Sequence, residues 1–265
     1  MFGHSGQPVI CGFGGRVIRS GTAALIVAAA MAALSAGVKA DDRPFVFVYD
    51  ASTMPQGAFE FENWVTWNSH AKDDTDFSRF DFRHEIEYGV TEKLQVSFYF
   101  DWRFQHSEDS SQWSDVAFEA IYQVTDPTKD FIGSALYGEI KVGNDLVELE
   151  GKLILQKNIG QFIFAWNGAV EAEWEGQNHE TKNGTFEQTA GISYQIIPQL
   201  SGGVEAVHEI EWANWREQGD NVVWVGPNIS YRTTGWWITV APLFQVTSVS
   251  GEPDFQTRMI IGINF

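Results

Sequence analysis

Three arginines, Arg79, Arg83 and Arg103, fall at positions of the same parity as Glu85 and Asp101 in two neighbouring alternating segments. A planar guanidinium grips a carboxylate through two parallel hydrogen bonds. On one face, these residues make either an ion-pair ladder or a constriction that orients a polar or carboxylate-bearing solute. A second set, Glu148, Glu150, Glu171 and Glu173, forms two pairs at i, i+2 spacing. Such a wall favours cations, unless it is paired or solvated. These residues are the pore-lining candidates.

Other chemistry finds less support. His84 and His208 could act as bases, but a nucleophilic site also needs a serine within reach and a group that orients the base. No His-x-Ser pair or Gly-x-Ser-x-Gly elbow accompanies either histidine, so no catalytic residue is assigned and the chain does not read as an enzyme. Asp73, Asp74 and Asp76, with Glu108 and Asp109, could hold a hard cation through oxygens. Their spacing lacks the glycine and distal glutamate of a calcium loop, so they read as solvated loop acid. No metal site and no cofactor follow.

The elements that position these residues are strands. Leu94, Val96, Phe98, Phe100, Trp102 and Phe104 alternate with Gln95, Ser97, Tyr99, Asp101, Arg103 and Gln105. Phe80, Phe82, Ile86 and Tyr88 alternate with the charged set across the turn Gly89-Val90-Thr91-Glu92-Lys93, with His84 alone intruding on the apolar side. Each arm is close to the ~9–11 residues that cross a bilayer as a tilted strand. Twelve such segments are predicted, about 58–67, 78–88, 94–105, 114–124, 131–142, 146–156, 162–174, 185–195, 200–212, 222–232, 236–247 and 255–265. The fold class is all-β, an antiparallel up-and-down transmembrane barrel of 58–265.

The joins between segments alternate. Asn68–Asp76, His106–Trp113, Gly176–Gly184, Ala213–Asn221 and Ser248–Asp254 are polar and mostly long, and the intervening joins are short; Gly143-Asn144-Asp145 breaks the alternation by being short. Long extracellular loops and short periplasmic turns are the pattern of bacterial outer-membrane barrels. Trp67, Trp102, Trp113, Trp174 and Trp212 then fall near the long loops. Tyr88, Tyr122, Tyr194, Tyr231, Trp236 and Phe265 fall near the short turns, which gives two interfacial girdles. The last segment ends on Phe265, similar to the signal read by the barrel assembly machinery. Outer-membrane lipid and lipopolysaccharide are the expected surroundings.

Residues 1–40 carry Arg16, Arg19 and Lys39 but no acid, with an apolar run from Thr22 to Leu34 and a small-x-small site at Val38-Lys39-Ala40. They read as a cleaved signal peptide. Cleavage removes three of the 17 Lys and Arg and none of the 35 Asp and Glu, moving the formal charge from −18 to −21. It also removes Cys11, the one cysteine. The acidity excludes nucleic acid and favours cations or neutral solutes. Residues 41–57, with the apolar run Phe45-Val46-Phe47-Val48-Tyr49, read as a periplasmic segment or a plug. On the inward face carboxylates exceed bases roughly threefold.

Phe59-Glu60-Phe61-Glu62, the run Glu85-Ile86-Glu87-Tyr88-Gly89-Val90-Thr91-Glu92-Lys93-Leu94-Gln95-Val96, Tyr137-Gly138-Glu139 and Gly226-Pro227-Asn228 resemble the outer-membrane proteins grouped with the meta-pathway of phenol degradation. The resemblance implies passage of small compounds, aromatic ones among them, and brings no catalytic residues. Two alternatives stay open: a closed structural or surface-binding barrel without transport, and a membrane-embedded hydrolase.

Overall fold

The computed structural model describes residues 43–105 and 110–265. The leader, with its Cys11 and cleavage site, and the loop acids Glu108 and Asp109 lie outside the described residues. Twelve strands follow in order: β1 (Phe59–Ala71), β2 (Asp74–Thr91), β3 (Leu94–Gln105), β4 (Ser110–Thr125), β5 (Gly133–Gly143), β6 (Leu146–Ile159), β7 (Phe162–Glu175), β8 (Thr181–Ile197), β9 (Leu200–Ala213), β10 (Glu217–Arg232), β11 (Trp236–Gln245) and β12 (Pro253–Asn264). Each pairs antiparallel with its chain neighbours, and β1 closes on β12 from Glu60↔Asn264 to Ala71↔Pro253. Phe265 donates its backbone N–H to Phe59 O. Closure leaves no strand edge, which is what lets strands lie in lipid with every ladder group paired.

Alternation sorts the two faces as expected. Phe98, Phe118, Leu136, Val204 and Ile229 project outward with about half their surface uncovered, a belt that water would penalise and lipid accepts. Tyr and Phe pair at the short-turn end, Phe59 with Tyr88 at 4.5 Å and Phe162 with Tyr194 at 4.8 Å. Near the other end Phe82 stacks on Trp102 at 4.0 Å. A bulge between β3 and β4 shifts the register from Asp101↔Asp115 to Trp102↔Trp113.

The polar joins differ from expectation. β1 runs on to Ala71 and β2 begins at Asp74, so the first predicted loop is mostly hairpin; the β9–β10 join likewise shrinks to residues 214–216. Outside the lipid belt both faces of a strand meet water. Apolar alternation therefore stops marking the strand, although the hydrogen-bonded ladder continues. The short Gly143-Asn144-Asp145 join is a tight turn between β5 and β6, so the break in the alternation of loop lengths does not remove either strand.

Residues 43–58 lie inside the barrel with no strand pairing of their own. Arg43 through Val48, Ala51 and Met54 are buried. Going along the segment, its partners pass around the wall from β11 to β2. Thr239 Oγ1 donates to Arg43 O at 2.6 Å, and Val46 and Phe47 N–H donate to Glu205 at 3.0 and 2.7 Å. Tyr49 N–H donates to Asn167 Oδ1 at 2.7 Å, with Asn167 Nδ2 returning a bond to Tyr49 O at 2.9 Å. Ala51 N–H reaches Gln156 at 2.7 Å and Met54 N–H reaches Gln95 at 2.9 Å. Finally Gly57 N–H donates to Gly89 O and Gly89 N–H to Ala58 O, feeding the chain into β1. An extended backbone without ladder partners needs such acceptors when buried, and the Glu205 carboxylate with the amide oxygens of Asn167, Gln156 and Gln95 supplies them.

Candidate functional site

The arginines lie on adjacent strands in a register that pairs them with acids. Asp81 faces Arg103 and Arg83 faces Asp101. Asp81 bridges Arg79 at 2.8 Å and Arg103 at 2.7 Å, and Arg83 holds Asp101 through two bonds of 3.1 Å. The result is an ion-pair ladder on the wall. Arg83 also lies over the Tyr99 ring at 3.5 Å, so its guanidinium is packed as well as paired.

Across the barrel, Glu148 stands opposite Glu173 and Glu150 opposite Glu171, which puts the four acids at matched heights. The short turn at Gly160-Gln161 fixes that register. Two lysines divide the wall. Lys141 reaches Glu148 at 2.9 Å and Glu139 at 3.5 Å, and Lys152 reaches Glu150 at 2.8 Å. The β6 acids are therefore compensated on the spot, while no salt bridge joins Glu171 or Glu173 among the described residues.

A cavity of about 940 Å³ lies between these walls and reaches the rim of the longer hairpins at Phe77, Asn144 and Glu252. Arg79, Arg83, Asp101, Arg103, Glu148, Glu150, Glu171 and Glu173 all line it. Glu85 does not; it faces inward lower down, 1% exposed. Phe47, Tyr49, Trp64 and Tyr137 also line the cavity, so the N-terminal segment contributes directly to its wall. Cations sit on those rings: Arg258 over Phe47 at 4.3 Å, Lys152 over Tyr49 at 4.4 Å and Arg43 over Tyr49 at 4.2 Å.

Sequence reasoning missed the neutral amides Gln95, Gln156, Asn167 and Asn228 that hold the segment. The available signal was their inward parity at the short-turn half of strands whose other half is charged. Both histidines face outward in polar pairs rather than in a nucleophile's reach. His84 Nδ1 lies 2.7 Å from Asn63 Oδ1, and His84 Nε2 accepts the Trp102 indole N–H at 3.1 Å; His208 lies between Gln188 and Asn221 at 3.3 and 3.1 Å.

A closed antiparallel barrel of twelve strands, apolar outside and charged within, has the fold of bacterial outer-membrane channels and porins. Residues 37–259 match the model of a family described as "Family of unknown function (DUF6662)", and the chain belongs to that family. The family description supplies no activity. Among solved structures, the COG4313 outer membrane channel from Pseudomonas putida F1 is similar at a TM-score of 0.61 and 11% identity, over 83% of this chain and 100% of that one. The NanC porin is similar at 0.52 and 10%, and the KdgM porin in complex with disordered oligogalacturonate at 0.50 and 11%, each over 78% of this chain and 98% of the other. At such identities the likeness is one of fold. No curated protein matches the sequence.

Proposed function

We propose that the protein is a porin-like channel of the bacterial outer membrane that admits small solutes, with residues 43–58 as its plug. The carrying observation is the cavity of about 940 Å³ that reaches the hairpin rim and has Phe47 and Tyr49 in its wall. Neutral and cationic solutes suit the acidic lining. The aromatic residues at its base, with the resemblance to meta-pathway proteins, extend the proposal to small aromatic compounds. In this reading residues 1–40 are a cleaved leader, Phe265 presents the last strand to the assembly machinery, the belt contacts lipid and lipopolysaccharide, and no catalytic step is involved.

A second reading, a closed structural barrel, draws support from the bonds that Glu205, Asn167, Gln156 and Gln95 make to the segment. Liposome swelling distinguishes the two. Reconstituted protein should accelerate entry of small neutral and cationic solutes over a small dicarboxylate. Equal rates with and without protein for every solute would support the closed barrel. Fractionation with soluble periplasmic protein would overturn both.

A further inference from the structure

At the short-turn half of the barrel, β1, β2 and β4 turn five carboxylates inward. Glu60, Glu62, Glu85, Glu87 and Glu119 are each 5% exposed or less. Glu60 stands opposite Glu87 and Glu62 opposite Glu85; Glu119 stands opposite Ser97, which itself faces Glu87. Like charges in facing positions repel, and burial multiplies the cost.

Some of this cluster is compensated locally. The Trp64 indole donates to Glu62 Oε2 at 2.6 Å, Arg43 lies 3.6 Å from Glu62, and the Trp237 indole donates to Glu60 Oε1 at 2.9 Å. Glu85 differs. Neither of its buried carboxylate oxygens has a hydrogen-bond partner, and the adjacent Arg83 commits its guanidinium to Asp101. One oxygen each from Glu85, Glu87 and Glu119 lie within 4.8 Å of one another.

We propose that Glu85, Glu87 and Glu119 bind a calcium-sized divalent cation. Carboxylate oxygens suit a hard ion, and ligands at about 2.3–2.6 Å from it span up to about 5 Å across the site. Magnesium, at about 2.0–2.1 Å and reluctant to shed its octahedral shell of waters, fits this buried all-carboxylate grouping less well. The Tyr49 hydroxyl donates to Glu119 at 3.5 Å, so the ion would also steady the N-terminal segment. The site does not depend on whether the barrel conducts.

Terbium is the probe, because the Trp64 indole beside Glu62 can sensitise its emission. Full-length protein in detergent, stripped with EDTA, should show a saturable high-affinity site displaced by calcium at lower concentration than by magnesium. E85Q and E87Q should each weaken binding at least about tenfold, while E209Q, elsewhere in the lumen, should leave the high-affinity site in place. Absence of saturable emission, equal displacement by magnesium, or undiminished binding in E85Q would overturn the proposal. Should E85Q fail to refold, the wild-type melting temperature decides. A rise with calcium that magnesium does not reproduce supports the site, and no difference between calcium and EDTA removes it.

Discussion

Glu205 of β9 accepts the backbone N–H of Phe47 at 2.7 Å, from a residue that stands 158 positions away in the chain. The same carboxylate takes the Val46 N–H at 3.0 Å and an Asn228 amide proton at 2.8 Å. One wall residue thus anchors the N-terminal segment where it crosses β9. Truncation in E205A would strand those buried donors, at about 1–3 kcal/mol. The expected outcome is a barrel that still migrates as heat-modifiable on gels but shows longer or more frequent open events in planar bilayers. An unchanged open probability would mean that Glu205 does not hold the segment in place.

Space tests the same seating differently. A Cβ at Gly191 would lie 2.5 Å from the Phe45 ring, and Phe45 is fully buried. G191V should therefore displace Phe45 without adding charge or removing a hydrogen bond. Protease cleavage near residues 43–56 in the assembled barrel, absent in wild type, is the expected readout.

Selectivity should follow the uncompensated side of the acidic wall. Lys141 and Lys152 neutralise Glu148 and Glu150 at close range, leaving Glu171 and Glu173 to act on the cavity. Replacing all four with Gln should weaken cation preference, and E171Q/E173Q should account for more of the loss than E148Q/E150Q. Reversal potentials under a salt gradient measure both. Equal effects of the two pairs would place the selectivity elsewhere, with the Arg79, Arg83 and Arg103 ladder as the next set to test.

The outer face predicts stability rather than transport. Ile140 of β5 is 43% exposed on the apolar belt, and I140R should destabilise the barrel by about 2–4 kcal/mol if it lies at the bilayer midplane. Urea unfolding in lipid vesicles gives the number, and the inward neighbour E139Q serves as the comparison for loss of a lumen charge.

A turn provides a pH signature. Lys129 and Thr128 hydrogen-bond the Asp126 carboxylate and lower its pKa from 3.8 to about 2. Because the folded value is depressed, the associated stability is present above about 3.8 and disappears as pH falls through about 2. Exposure of this turn to solvent keeps the effect small. D126N should flatten that part of the stability curve between those two values and lower stability slightly at neutral pH, where the contribution is fully present.

Much of this architecture is legible in the sequence for a definite reason. Lipid on one side and charge on the other impose a period of two, so residues such as Leu94 to Gln105 declare both strand and facing. That signal ends where both faces are wet, which is why the Asp74–Phe77 and Glu217–Asn221 stretches look like loop. Register is carried by turns rather than by pattern, so the opposition of Glu148 to Glu173 could not be read directly. The run Phe45–Tyr49 advertises burial, but its place on the wall depends on Asn167, Gln156 and Gln95. Their neutral side chains give no hint of a backbone partner more than 40 residues distant.

Single-channel recording decides whether residues 43–58 plug a conducting barrel, as proposed. Full-length protein and a variant lacking residues 43–56 are to be compared in the same planar bilayers, after both show heat-modifiable migration. The full chain should give small or infrequent currents, and the deletion a several-fold larger, cation-selective conductance. Equal conductance in the two, or silence in both, would contradict it.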